Sequence, residues 1–216
     1  MAGSVFGDRL PLAVRYAELL CSAGVERGLL GPREAERIWD RHLLNCAGVA
    51  PLVPPKSLAC DVGSGAGLPG LVVAMLRSDV QMILLEPLLR RTRFLEECVA
   101  ELSLPNVIVQ RGRAEEAAGL LSVDVVLARA VAPLERLASW TLPLLRPGGQ
   151  LLAMKGNTAR AELAGAEPAL RKLGADHWEL LELSAQDVGQ HTFVVRVSVG
   201  VPAGVSRRGS RQSGGG

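Results

Sequence analysis

From residue 57 onward, short, mainly apolar runs alternate with longer segments in which apolar positions recur every three or four residues. The runs lie at 58–62, 80–86, 107–110, 123–127 and 150–155, and the amphipathic segments between them at 69–77, 88–102, 114–120 and 133–145. Strands apolar at consecutive rather than alternate positions are covered on both faces, and helices of this length are the crossovers that join parallel neighbours. This predicts an α/β fold with a doubly wound, mainly parallel sheet. After a further helix at 162–173, two strand-like runs at 177–183 and 192–199 are separated by only a short link, so they pair antiparallel and bring the sheet to seven strands.

The first 56 residues read differently. Leu12, Tyr16, Leu19 and Leu20 fall at helical spacing within 10–20, and Gly24 and Gly28 end that pattern. A second helix is predicted from Gly31-Pro32 towards Gly48, with Ala35, Ile38, Trp39, Leu43 and Cys46 on its apolar face. His42 shares that face, which predicts a core histidine bonded to a carbonyl. Arg33, Arg37 and Arg41 form a stripe at i, i+4, i+8, suited to phosphate or to a solvated surface. Pro51, Pro54 and Pro55 make a rigid break. The expected organisation is a helical extension over 1–56, an α/β domain over 57–200, and a disordered Gly/Ser/Arg tail over 201–216.

Composition narrows this picture in two respects. With 216 residues, 48% of them hydrophobic, the chain can bury a full sheet core, and a net charge of +2 does not of itself call for a polyanionic partner. Of the 24 basic residues only Lys56, Lys155 and Lys172 are not arginine, so what matters is where the guanidinium groups lie. Cys21, Cys46, Cys60 and Cys98 are scattered without ligand spacing, which predicts neither a metal site nor disulfides. Asp8, Arg9, Arg15 and Glu18 interrupt the first apolar segment, and no run approaches membrane-spanning length. A soluble, cytoplasmic protein without membrane contact is expected, and a monomer.

The candidate chemistry gathers after the strands, where ligands bind in open α/β sheets. The first strand carries Asp61 and opens into Gly63-Ser64-Gly65-Ala66-Gly67-Leu68-Pro69-Gly70, a loop whose glycines permit close approach of a ligand to the backbone. Glu86 ends the second strand, 21 residues beyond Gly65, the offset at which an acid reaches a ribose diol. Gly65-x-Gly67-x-x-Gly70 also matches the dinucleotide fingerprint, which keeps an NAD-dependent oxidoreductase in play. Against it, Asp61 would repel a pyrophosphate and suits a ligand ammonium, and the chain closes on an antiparallel pair. Asp-x-Gly-x-Gly-x-Gly with a second-strand acid and a closing hairpin resembles the class I, Rossmann-like S-adenosylmethionine-dependent methyltransferases.

Six blocks sharpen that resemblance: Trp39-Asp40-Arg41-His42-Leu43-Leu44-Asn45, the loop from Asp61 to Gly70, Leu84-Leu85-Glu86-Pro87, Arg90-Arg91-Thr92-Arg93-Phe94-Leu95, Arg113-Ala114-Glu115-Glu116 and Ala128-Arg129-Ala130. In this order they resemble the bacterial 16S ribosomal RNA guanine-N7 methyltransferase family, also called glucose-inhibited division protein B. The resemblance implies S-adenosyl-L-methionine as cofactor and 16S ribosomal RNA or the 30S subunit as partner. It implies that Gly63, Gly65 and Leu68 line the cofactor from the loop beside Glu86. Ala114 and Glu115 would hold the adenine side, and Arg129 would contact the cofactor and act at methyl transfer. Asn45 stands where relatives carry aspartate and receives no role.

Guanine N7 presents a neutral lone pair, so it can attack a sulfonium methyl without a base, and placement supplies the acceleration. Arg129 could orient the guanine through O6, contact the cofactor carboxylate, bind a phosphate, or form a structural salt bridge. Arg90, Arg91, Arg93, Arg111 and Arg113 suit a phosphate rim, with helix pairing such as Arg93 to Glu97 as the alternative. At 3% aromatic residues the chain offers no base-stacking platform. A non-catalytic ribosome-assembly factor on the same fold is the remaining alternative.

Overall fold

The computed structural model describes residues 2–184 and 191–201, so the tail expected over 201–216 lies almost wholly outside the described residues. Seven strands form one sheet in the order β3-β2-β1-β4-β5-β7-β6. β1 (Leu58–Val62), β2 (Gln81–Glu86), β3 (Val107–Arg111), β4 (Val123–Arg129) and β5 (Leu145–Lys155) run parallel. β7 (His191–Val199) pairs antiparallel with both β5 and β6 (Ala175–Ser184), as the short link between the last two strands requires. The topological switch lies between β1 and β4, with Asp61 opposite Leu127.

β1, β2, β4 and β5 alternate between two cores, whereas β3 at the sheet edge leaves Ile108 exposed. Ala59, Met82, Leu84, Val125 and Leu127 face one side, where they join Phe6, Tyr16, Leu20, Ile38 and Leu43 of the N-terminal helices with Val72 and Met75 of α5 (Gly70–Leu76) and Phe94 and Leu95 of α6 (Leu89–Glu101). Cys60, Val62, Ile83, Leu85, Val126 and Ala128 face the other, packed by Leu137 of α8 (Leu134–Thr141) and Leu170 of α9 (Ala159–Lys172). This period-two division explains why these strands read as mainly apolar runs. The N-terminal helices therefore share a core with the sheet.

The predicted second helix does not form as one element. α3 (Pro32–Ala35) stops where Arg37 takes φ −116° and ψ 25°, and a π-helical turn, Ile38–Leu43, leads into α4 (Leu44–Ala47). A wider turn shifts side chains off the 3.6-residue register, so the expected arginine stripe breaks up. Arg41 pairs with Glu34 at 3.0 Å and Arg37 with Asp40 at 3.3 Å. The chain opens with α1 (Ala2–Phe6), and a second π turn, Leu20–Gly24, follows α2 (Leu10–Leu19). Elsewhere the differences are local. β5 begins at Leu145 rather than at 150, with a register shift against Val123 and Val125, and α7 is only Ala114–Ala117.

Candidate active site

The loop after β1 is held from below by Asp61, which is fully buried. Its Oδ2 accepts the Gly70 N–H at the start of α5 and the Ser64 hydroxyl, each at 2.9 Å, while Oδ1 has no partner among the described residues. Burial pushes this carboxyl up to about 7, against the opposing pull of the Gly70 and Ser64 bonds. Asp61, expected to face a ligand ammonium, instead uses one of its oxygens to frame the loop itself. Gly67 sits at φ +96°, where a Cβ would overlap Leu71 and lie 2.8 Å from the Tyr16 hydroxyl, so any side chain there strains the loop.

That hydroxyl reaches the loop directly. Tyr16 of α2 is fully buried and donates to the Ala66 carbonyl at 2.6 Å. Periodicity had placed Tyr16 simply on an apolar face. Its phenolic oxygen was the available signal, since a buried hydroxyl requires a partner.

Glu86 closes the loop from the β2 side. Its Oε2 accepts the Gly65 N–H and its Oε1 the Leu88 N–H, both at 3.0 Å, and the side chain is 1% exposed. Arg91 approaches within 3.7 Å of the same carboxylate. Gly63 donates to the Leu85 carbonyl at 2.8 Å and sits at φ +68°. Ala114 is buried and Glu115 exposed at the head of α7, just past Gly112, whose N–H bonds the Glu86 carbonyl at 3.3 Å. Leu68 is half-buried and packs towards the N-terminal helices. Gly63, Gly65, Glu86 and Ala114 thus converge on the carboxyl ends of three adjacent strands.

Arg129 lies across the switch point at the end of β4. Its Nη1 is 3.2 Å from Cys46 Sγ, and its Nη2 donates to the Arg41 carbonyl at 3.2 Å and to His42 Nδ1 at 3.0 Å. His42 is 7% exposed, and its Nε2 lies 2.8 Å from Glu34 Oε2. The expected carbonyl partner of His42 is therefore a carboxylate on one side and Arg129 on the other. Ala130 follows at φ +54°, a left-handed conformation uncommon for a residue with a side chain, and it turns the chain sharply after Arg129.

An open cavity of about 1030 Å³ lies over the ends of β4 and β5, lined among others by Arg41, Asn45, Arg129, Val131, Lys155 and Thr158. It adjoins the glycine loop at Val131, which lies 3.0 Å from where a Cβ on Gly63 would stand. The loop residues themselves do not line it. Lys155 Nζ donates to the Ala132 carbonyl at 2.6 Å and to Glu162 Oε2 at 2.8 Å, bracing one wall.

Of the basic residues read as a rim, Arg90, Arg93, Arg111 and Arg113 are exposed, while Arg91 turns towards Glu86. Glu97 pairs with Arg27 at 2.7 Å. The Arg93 to Glu97 pairing proposed from spacing is thus replaced by a contact from a distant segment. Cys60 is buried inside β1, where desolvation pushes its thiol far up and leaves it unreactive.

The family model described as GidB, rRNA small subunit methyltransferase G, matches residues 9–192. A protein of Streptomyces coelicolor named ribosomal RNA small subunit methyltransferase G is 58% identical over 206 residues, covering 94% of this chain and 86% of that protein. One of the same name from Thermobifida fusca is 54% identical over 198 residues, covering 92% of this chain and 84% of that protein. Among solved structures, M. jannaschii TYW2 in complex with AdoMet superposes with a TM-score of 0.59 at 15% identity, covering 73% of this chain and 74% of that chain, a likeness of fold.

Proposed function

We infer the chemistry from a plain premise: this chain belongs to the GidB family, the rRNA small subunit methyltransferases G. It is an S-adenosylmethionine-dependent methyltransferase of small-subunit ribosomal RNA, and neither the oxidoreductase reading nor the non-catalytic one is favoured. The finer reading is transfer to N7 of a guanine in 16S ribosomal RNA, free or within the 30S subunit, by a monomer working in the cytoplasm. Among the described residues no helix is long and apolar enough to cross a membrane.

The residues fit the cofactor. Nothing but the Gly63 carbonyl, at 3.8 Å, lies near the missing Cβ of Gly65, so that stretch of backbone is open to a ligand. Glu86 stands at the end of β2 beside Gly65, with one backbone N–H on each oxygen, so the second-strand acid lies at the loop where a ribose diol is read. On this reading Gly63, Gly65 and Leu68 hold the cofactor from the loop, Glu86 takes the diol, and Ala114 and Glu115 border the adenine. Bound there, S-adenosyl-L-methionine supplies an electrophilic sulfonium methyl.

Arg129 stands between the two halves of the site and is the group that acts at transfer. The cavity over β4 and β5 receives the guanine. The observation that carries this reading is adjacency: Val131 lines the cavity and lies 3.0 Å from where a Cβ on Gly63 would stand, so the loop and the cavity are neighbours. Because N7 attacks with a neutral lone pair, the residues need only orient the base and keep water out.

The test is to incubate the protein with labelled S-adenosylmethionine and undermodified 30S subunits, or with naked 16S RNA, and map the methyl group. Label on guanine N7 supports the reading. Label on an exocyclic amine overturns the assigned atom, and no label on either substrate overturns the acceptor.

A further inference from the structure

Arg129 is held by residues that do not belong to the sheet. Its Nη2 donates to Nδ1 of His42, and His42 Nε2 meets Glu34 Oε2, so the π turn and α3 of the N-terminal segment end on the guanidinium. The protonation state of the imidazole follows from its partners. A guanidinium can only donate, so Nδ1 must present its lone pair, and the ring hydrogen must then sit on Nε2 and point at the carboxylate. Glu34 fixes that tautomer, and its other oxygen is tied to Arg41 at 3.0 Å.

We propose that His42, oriented by Glu34, is a positioning residue that sets the direction of the Arg129 guanidinium over the cavity. The proposal rests on the reading that places Arg129 at methyl transfer. Arginine carries a long, rotamer-rich stem, and an acceptor fixed at 3.0 Å confines its fork to one orientation before substrate arrives. The Arg41 carbonyl and Cys46 Sγ bound the same group, but only His42 links it to a second side chain that is itself anchored. The break in the predicted helix thereby acquires a purpose: the wider π turn brings a histidine of the buried face into line with a residue 87 positions away.

The charged and titratable groups facing His42 are Glu34 from α3, Arg41 on its own turn and Arg129 from β4, with Cys46, Tyr16 and Asp61 behind Arg129. Burial and the Arg129 charge hold the imidazole below the usual histidine range, against the pull of Glu34. Protonation would remove the acceptor and set a second positive charge against the guanidinium. Turnover therefore falls on the acid side as His42 takes up its proton.

The experiment compares His42→Ala, His42→Asn, His42→Gln, Arg129→Ala and the double variant His42→Ala/Arg129→Ala. Each is assayed for turnover on undermodified 30S subunits with cofactor affinity and thermal midpoint measured alongside. Asn places an amide oxygen near the position of Nδ1 and can accept from Arg129, whereas Gln reaches towards Glu34 and leaves that position empty. His42→Ala is expected to lose about 10- to 100-fold in kcat with little change in cofactor affinity. His42→Asn is expected to recover most of that loss and to lack the acid limb of the pH profile, and His42→Gln to recover little. The double variant should be no slower than Arg129→Ala, since both changes remove one interaction.

Additive losses, or losses that follow the thermal midpoint equally in all three His42 variants, would make His42 a packing residue and overturn the proposal. Full activity in His42→Ala beside an inactive Arg129→Ala would overturn it while sparing the Arg129 reading. Normal turnover by Arg129→Ala would overturn both.

Discussion

The Tyr16 hydroxyl donates to the Ala66 carbonyl over 2.6 Å, tying the second helix of the chain to the middle of the glycine loop 50 residues later. Both groups are buried, so removing the hydroxyl strands a carbonyl where water does not reach. Tyr16→Phe is expected to cost about 1–3 kcal/mol of stability and to loosen the loop. Thermal unfolding and calorimetric titration with S-adenosylmethionine check both consequences. An unchanged midpoint with unchanged cofactor affinity would show that the loop keeps its shape without this hydrogen bond.

Two glycines separate packing from backbone propensity. A Cβ on Gly70 would stand 2.5 Å from Leu84 Cδ2 and 2.6 Å from Asp61 Oδ2. Gly70→Ala therefore overpacks the junction of loop, sheet and α5, with an expected loss of about 1–3 kcal/mol or more, and weakens cofactor binding. Gly165 lies exposed within α9 with nothing near its missing Cβ. Gly165→Ala should raise stability by about 0.5–1 kcal/mol and leave turnover alone. Denaturant unfolding of the two variants side by side tests the contrast.

The sheet was legible because its central strands β1, β2, β4 and β5 are buried on both faces and so carry little polar alternation to confuse it. The glycine loop and Glu86 were legible because spacing alone brings Gly65 and an acid at the end of β2 together. Partners of buried polar groups were not. Asp61 reads as an acid facing a ligand, but its contacts with Ser64 and Gly70 depend on how the loop folds back. His42 could not be paired with Arg129, because the π turn that aims it departs from the helical period used to read the segment. Glu97 was likewise assigned to its helix neighbour when Arg27, 70 residues away in the chain, holds it. Local pattern reports which face a side chain occupies; the tertiary fold decides what it meets there.

Asp61 also gives stability a pH dependence of defined sign. Its carboxyl is raised to about 7 in the folded protein against 3.8 as an unperturbed group. Between those values the folded state holds a proton that the unfolded state has released, so stability falls as pH rises from about 4 to about 7 and then levels off. Asp61→Asn removes the titration while keeping an acceptor for Gly70 and Ser64. Unfolding midpoints measured from pH 4 to pH 8 should therefore slope downward less in the variant than in the parent chain. Equal slopes would mean that the carboxylate is ionised in the folded protein throughout.

Lys155 separates the two halves of the site by a different route. Its ammonium is largely buried and bridges the Ala132 carbonyl to Glu162, while Glu162 also accepts the Leu134 N–H at 3.1 Å and the Thr158 hydroxyl at 2.9 Å. The segment after β4 and the start of α9 are thus fastened together along one wall of the cavity, and none of these contacts reaches the glycine loop. Burial alone would raise the Glu162 carboxyl, but the bonds from Lys155 and Thr158 outweigh it and leave it lowered. A lowered acid stabilises the fold above its ordinary range and loses that contribution as pH falls through the depressed value. Lys155→Met is expected to cost about 1–3 kcal/mol near neutral pH, because the Ala132 carbonyl and Glu162 lose a buried donor. It should also shrink the stability lost on acidification, since Glu162 returns towards its usual range. In turnover assays the variant should raise KM for the 30S substrate while binding S-adenosylmethionine as the parent chain does. Weakened cofactor binding with an unchanged KM for the subunit would place this wall on the other side of the reaction.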